Sequence, residues 1–390
     1  MPSSRSAPEP AQTSLPELAL LFLRLGATAF GGPAAHIAMM QDEVVRRRAW
    51  LSNERFLDLL GATNLIPGPN STELAIHIGW ERRRWPGLWV AGLSFIAPAM
   101  LITMVCGWAY VHLGARPEAG WLLYGVKPVM VAVVLQALWG LAPRAASTRW
   151  LRVLGAAALA LVALGVDELV VLFGSGLLSA AVTYRPSSRS DDDVGSTPKL
   201  ALAPLAQVLA SAGASIATPS ALFWVFAKIG SVLFGSGYVL LAFLRADLVT
   251  RLHWLTEAQL LDAVAVGQVT PGPVFTTATF IGYVLAGPRG ALLATVGIFL
   301  PAFVFVALSG PLVPRLRASP TAGRVLDGVN VASLALMAVV TLQLAGAALV
   351  DVPTVGIALV SALLLVRFGV GSTWVIALGA AVGFAVHTLR

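Results

Sequence analysis

The sequence is short of charge, cysteine and histidine. Asp, Glu, Lys and Arg make up 12% of its 390 residues, about half the share found in soluble domains. The 26 bases and 19 acids are too few to cover the surface of a water-soluble chain this long. Cys106 is the one cysteine, which excludes an intramolecular disulfide and any Cys or Cys/His metal cluster. The five histidines are scattered at 36, 77, 112, 253 and 387, without the clustering a metalloenzyme or a Ser/His hydrolase needs. Nor is there a polar stretch long enough for a sizeable soluble domain, as a receptor or scaffold would carry.

What the chain has in excess is apolar surface. Hydrophobic residues make up 57% of it, and the mean hydropathy is +0.81. These values describe an integral membrane protein, with the lipid bilayer as its main partner. The net charge of +7 sits in short clusters between apolar runs, so the bases read as topology signals and not as a nucleic-acid footprint. Residues 1–14 are rich in Pro and Ser and lack the pattern of a cleaved leader, so we expect a disordered tail there.

A spanning helix needs about 20 apolar residues. Segments 15–40, 88–113, 121–141, 222–244, 291–313 and 325–349 meet that condition, while 150–184 and 352–388 each read as two shorter helices. The polar stretch 185–220 reads as a linker between an N-terminal repeat, 15–184, and a C-terminal repeat, 221–390. Its apolar part near 200–214 is expected along the membrane surface.

The two halves repeat. With a shift of 204 residues, 13 of the 44 positions from Gly26 to Pro69 are identical in 230–273, against about one in fifteen by chance. Phe30-Gly31 falls on Phe234-Gly235, Trp50-Leu51 on Trp254-Leu255, Asp58 on Asp262, and Pro67-Gly68-Pro69 on Pro271-Gly272-Pro273. One deletion later, Gly79, Gly87 and Pro98 meet Gly282, Gly290 and Pro301. Arg46–Arg48 and Arg82–Arg84 share one face if the segment between them enters the membrane and returns, and the basic bias fades in the second half. That distribution predicts an all-α protein of about ten transmembrane helices, arranged as an inverted-topology repeat with broken or re-entrant helices.

Pro-Gly-Pro, once per half, must break its helix: proline removes a donor and glycine permits unusual dihedrals. A helix restarting there offers free N–H groups and a positive dipole end to an anion. The hydroxyl and amide groups around the breaks are Asn70, Ser71 and Thr72 in one half and Thr276 and Thr277 in the other, preceded by Asn64 and Gln268. A second pair of breaks, Gly31-Gly32 and Gly235, allows close packing or contact with substrate, and both readings stand. Arg24 and Lys228 are matched bases within apolar runs, where a charge marks a functional candidate; snorkelling, or pairing of Arg24 with Glu17, is the structural alternative. For proton relay the candidates are Asp58, Asp262, Glu43 and His36, with helix capping by Asp58 and Asp262, or their ion pairing to Arg47 and Arg251, as the alternative. Glu73 and His77, four apart, lack a third ligand and read as a hydrogen-bonded pair. No metal, cofactor or catalytic set is expected.

The order Phe30-Gly31-Gly32-Pro33, His36, Glu43, Trp50, Asp58, Pro67-Gly68-Pro69, Gly79 resembles the signature of the chromate ion transporter family, in its long two-domain form. The segment from Phe226 to Pro301 looks like the family's other copy, with Gly235-Ser236-Gly237 departing from Gly-Gly-Pro. The resemblance implies a multi-pass inner-membrane protein that confers chromate resistance by exporting the oxyanion with the proton motive force. Chromate is a tetrahedral dianion like sulfate, so uptake or exchange of a sulfate-like oxyanion is the alternative. A membrane-embedded enzyme is remote, and a homodimer is left open.

Overall fold

The computed structural model describes residues 13–30, 32–113, 117–182, 217–234 and 239–388. All regular structure among them is helical. The chain begins with α1 (Leu15–Thr28) and α2 (Gly32–Gln41), then a π-helical turn (Asp42–Arg47) and α3 (Asn53–Thr63). Next come α4 (Asn70–Leu113), α5 (Pro117–Ala145), α6 (Arg149–Ala163) and α7 (Glu168–Val182). The second half repeats this order with α8 (Pro219–Val232), α9 (Leu240–Leu244), a second π-helical turn (Arg245–Arg251) and α10 (Glu257–Val269). A 3₁₀ turn (Val274–Thr276) leads into α11 (Thr277–Ala318), followed by α12 (Pro320–Ala348), α13 (Val352–Arg367) and α14 (Ser372–Thr388).

Local chemistry sets many of these ends. Ser14 and Thr218 accept hydrogen bonds from the backbone of Glu17 and Ala221, and each stands before a proline in the first helical turn. Ser52 caps α3 through the Arg55 N–H, and Thr256 forms a reciprocal capping box with Gln259, as their places after Trp-Leu suggest. Order begins earlier than the tail assignment implies, because Thr13 accepts a hydrogen bond from Arg82 Nε at 2.8 Å. Segments 15–40 and 222–244 each read as one span but are broken, α1 from α2 and α8 from α9. Segments 150–184 and 352–388 do form two short helices each. Residues 183–216, which hold most of the linker and its apolar part, lie outside the described residues, as do 1–12, Gly31 and 235–238.

Each of α4 and α11 is a hairpin of two helices. The turn of α4 falls at Arg83 and Arg84, whose φ of 50° is left-handed, and that of α11 falls at Ala286 and Gly287. The limbs close on glycine. A Cβ on Gly79 would strike the Gly87 carbonyl and one on Gly87 the Gly79 carbonyl, and Gly282 and Gly290 repeat this contact. Across the second hairpin the hydroxyls of Thr279 and Thr295 lie 2.7 Å apart.

Among the described residues, four helices can cross a membrane by length and composition: Asn70–Leu113, Gly120–Pro143, Val274–Ser309 and Thr321–Ala348. Shorter apolar helices are Glu168–Val182, Pro219–Val232, Val352–Arg367 and Ser372–Thr388. Large apolar side chains face outward in quantity, among them Trp85, Leu101, Val105, Trp139, Trp224, Leu359 and Trp374. In water such a surface would associate, whereas lipid tails are its natural solvent.

The halves interlock. α1 packs on α4 as α8 packs on α11, and α4 and α11 meet. Helix α5 of the first half packs on α13 and α14 of the second, while α12 of the second packs on α6 and α7 of the first. The exchange rests on small residues: Gly125 against Gly379 and Gly383, Gly328 against Ser175 and Ser179.

Candidate functional site

The two ends of the segment between Trp50 and Arg82 lie together. Arg55 at the start of α3 pairs with Glu81 near the end of the first limb of α4. Arg82 Nη1 donates to the Trp50 carbonyl at 3.0 Å, and the guanidinium groups of Arg48 and Arg82 lie over the Trp50 ring at 5.5 and 5.6 Å. The two ends of this excursion thus meet at Trp50, and Pro67-Gly68-Pro69 is its tip.

Each tip docks on the other half. The Gly68 N–H donates to the Leu233 carbonyl at 2.8 Å, and the Gly272 N–H donates to the Ala29 carbonyl at 2.9 Å. Both acceptors end the first helix of a repeat. Beside them Gly68 abuts Ala302 and Gly272 abuts Ala99, each next to a proline, Pro301 or Pro98. Both glycines have positive φ, 139° and 87°, which a side chain would strain. Contacts that exchange in this way are those of a pseudo-two-fold relation between the halves.

The groups expected to hold an anion are largely engaged within the protein. Asn70 Nδ2 donates to Asn64 Oδ1 at 2.8 Å across the first break. Thr276 and Thr277 donate to the carbonyls of Pro273 and Val274, each at 2.8 Å. His36 Nε2 lies 3.0 Å from the Ala29 carbonyl and Nδ1 lies 3.2 Å from Ser71 Oγ. Since a carbonyl only accepts, Nε2 carries a proton, and the Ser71 hydroxyl donates to Nδ1 of a neutral ring or accepts from that of a charged one. Gln268 is buried beside Thr277. Thr72 is buried, and its hydroxyl has no hydrogen-bond partner among the described residues. The neighbouring Gly32 opens α2 with φ of 76°, while Gly31 and Gly235 lie outside the described residues.

Arg24 and Lys228 pair with carboxylates in their own halves. The partner of Arg24 is Glu43, not the Glu17 considered from the sequence. Glu43 is buried and also binds Arg48 and, at 3.4 Å, Arg47. In the second half Asp247 takes Lys228 at 2.8 Å and Arg251 at 2.9 Å. These carboxylates occupy matched π-helical turns, each followed by a left-handed residue, Ala49 or His253. A cavity of about 400 Å³ adjoins the second pair, lined by Lys228, Arg245, Asp247, Arg251, Glu168 and Gln343 among others.

The proposed pairing of Asp262 with Arg251 is not formed. Asp262 on α10 instead meets Lys127 Nζ of α5 at 3.2 Å and accepts from the Tyr110 hydroxyl of α4 at 2.9 Å. Arg47 pairs with Asp42 and Glu43. Lys127 lies in an apolar run and reads from sequence as a topology charge; its partner comes from the other half and carries no local signal. Glu73 and His77 do not bond to each other. Both are buried, and Glu73 Oε1 and Oε2 and His77 Nε2 have no hydrogen-bond partner among the described residues.

The profile of the family described as chromate transporter matches residues 16–180 and again 220–384. The chain belongs to the chromate transporter family. It is 32% identical over 381 residues to the chromate transport protein of Cupriavidus metallidurans, covering 96% of this chain and 94% of the relative. It is 32% identical over 363 residues to the chromate transport protein of Pseudomonas aeruginosa, covering 90% and 87%. A probable chromate transport protein of Synechococcus elongatus is 31% identical over 355 residues, 89% of each chain. No solved structure gives a significant match. This is a family of transporters and not of enzymes, and its member here is a multi-pass membrane protein.

Proposed function

We propose that this chromate transporter family member exports the oxyanion across the inner membrane, using the proton motive force. The observation that carries the reading is the reciprocal docking of the two Pro-Gly-Pro tips. A helix restarts beside each tip, so two positive dipole ends converge where the halves meet. In this reading the oxyanion binds there, with Thr72 and the rearranged hydroxyls and amides of Asn64, Asn70, Ser71, Gln268, Thr276 and Thr277 as donors. Arg24 and Lys228 leave Glu43 and Asp247 to balance its charge. The repeats, 15–184 and 221–390, rock about this point as an inverted pair of about five crossings each. Outward movement of an anion is aided by a negative-inside potential, at about 2.3 kcal/mol per charge per 100 mV. Protons enter through an acidic or imidazole group, for which the sequence offers Asp58, Asp262, Glu43 and His36.

The test is chromate flux in proteoliposomes under an imposed pH gradient, with sulfate as competitor. Gradient-dependent chromate movement that survives excess sulfate supports the reading. Chromate movement abolished by sulfate makes the protein a general carrier of tetrahedral oxyanions, and no flux of either ion from folded protein overturns it. The double substitution of Arg24 and Lys228 by Gln is expected to abolish transport in folded protein; retained transport would remove both bases from the site.

A further inference from the structure

The first break holds a group that the transport reading leaves unused. Glu73 is fully buried, and neither carboxyl oxygen has a hydrogen-bond partner among the described residues. The other buried carboxylates, Glu43, Asp247 and Asp262, each have a cation. Glu73 packs on the tip itself, where a Cβ at position 68 would collide with its Oε1. Thr72 and His77 beside it also carry unpartnered polar atoms. A buried carboxyl group without a cation or a protein donor is held as the neutral acid and ionises once its site opens.

Two features tie this acid to anion movement. It stands in the opening turns of the helix whose N-terminus faces the tip, beside the place assigned to the oxyanion. Gly68, meanwhile, touches the Glu73 carboxyl on one side and hydrogen-bonds Leu233 of the other half on the other. Undocking the tip therefore uncovers the carboxyl group. At the 204-residue spacing the second half has Thr277, whose hydroxyl is bonded to Val274, so the device occurs once per chain.

We propose that Glu73 is the proton-carrying group of the transport cycle, neutral while the tip is docked and ionised when the tip leaves and water enters. This rests on the transport reading and assigns its coupling step. The elements packed around it bring further titratable and charged groups, with Arg82–Arg84, Glu54, Glu257 and Arg289 at the ends of α4's first limb, α3, α10 and α11's hairpin turn. His77 and Glu81 share its helix, and α3 brings Asp58 and Arg55, the latter paired with Glu81. α2 brings His36, bonded to Ser71, and α1 brings Glu17 and Arg24, the latter held by Glu43. α10 brings Asp262, held by Lys127 and Tyr110, and α11 meets the tip with Ala302.

The experiment uses the full chain in proteoliposomes, above chromate's own second ionisation so that the ligand does not titrate. Glu73→Gln mimics the neutral acid. It is expected to keep chromate exchange in the absence of a gradient while pH-driven accumulation falls by about tenfold or more, and Glu73→Asp to restore part of that drive. Accumulation undiminished in Glu73→Gln overturns the proposal, as does loss of exchange in folded Glu73→Gln. If that variant does not fold, labelling of wild-type protein with an apolar carbodiimide decides, since a buried neutral acid reacts. Modification of Glu73 that chromate alters supports the role, and no modification overturns it. Absence of chromate flux in the wild type would instead defeat the transport reading.

Discussion

At the scale of single residues the charged groups act in sets. Glu43 gathers Arg24, Arg47 and Arg48 around one buried carboxylate, so Glu43→Gln leaves three cations without their common partner. Two of the three arginines are largely exposed, which screens the loss; unfolding in detergent should register a cost of about 1–3 kcal/mol. The pair of Lys127 and Asp262 makes a sharper case. Removing one partner strands a charge, whereas removing both does not, so Asp262→Asn should destabilise more than the double variant Lys127→Met/Asp262→Asn. Thermal melts of the four proteins of that cycle check the ordering. In the sequence Glu43 and Asp247 fall in register at the 204-residue shift, but nothing local marks their partners. Arg24 and Glu43 are 19 residues apart, as are Lys228 and Asp247, and only the break between α1 and α2, or α8 and α9, brings them together.

Elements obey the punctuation of the sequence. Both Pro-Gly-Pro sites end one helix and start another, because proline and glycine leave the backbone no continuous helical path there. The hairpin turns inside α4 and α11 are harder to read, since Arg83-Arg84 carries no turn chemistry and hydropathy alone does not mark it. What closes each hairpin is the absence of side chains at Gly79 and Gly87, or Gly282 and Gly290. Gly79→Val should therefore prevent closure, seen as aggregated or degraded protein by size-exclusion chromatography, while the same change at Gly120, with open space around it, should be tolerated. Gly68→Ala meets both a left-handed φ and the Glu73 carboxyl. A strain of about 1–3 kcal/mol is expected there, with transport falling more than the yield of folded protein.

For the whole molecule, the exchange of α5 and α12 between the halves makes each half incomplete by itself. Helix α5 has its partners in α13 and α14, and Tyr124 of α5 donates to Asp351 Oδ2 at 2.6 Å across the halves. A chain cut within 183–216 should yield halves that co-purify when expressed together, and neither half alone should give stable protein. Independent folding of either half would contradict the interlocked packing. The same packing ties the Pro-Gly-Pro tips to movement: a motion that draws both tips away from the opposite halves breaks the Gly68 to Leu233 and Gly272 to Ala29 hydrogen bonds together.

The sequence by itself determined the membrane setting, the duplication, the sites of the helix breaks and the family. Each of these is local or repetitive: composition fixes the solvent, and residue spacing fixes the period and the interruptions. The tertiary structure alone decided which carboxylate holds which base, and that each tip inserts into the opposite half. It also decided that Glu73, one acid among 19 in the sequence, is buried without a hydrogen-bond partner among the described residues. Those outcomes depend on contacts between positions far apart in the chain, and no periodicity along it specifies which distant group arrives.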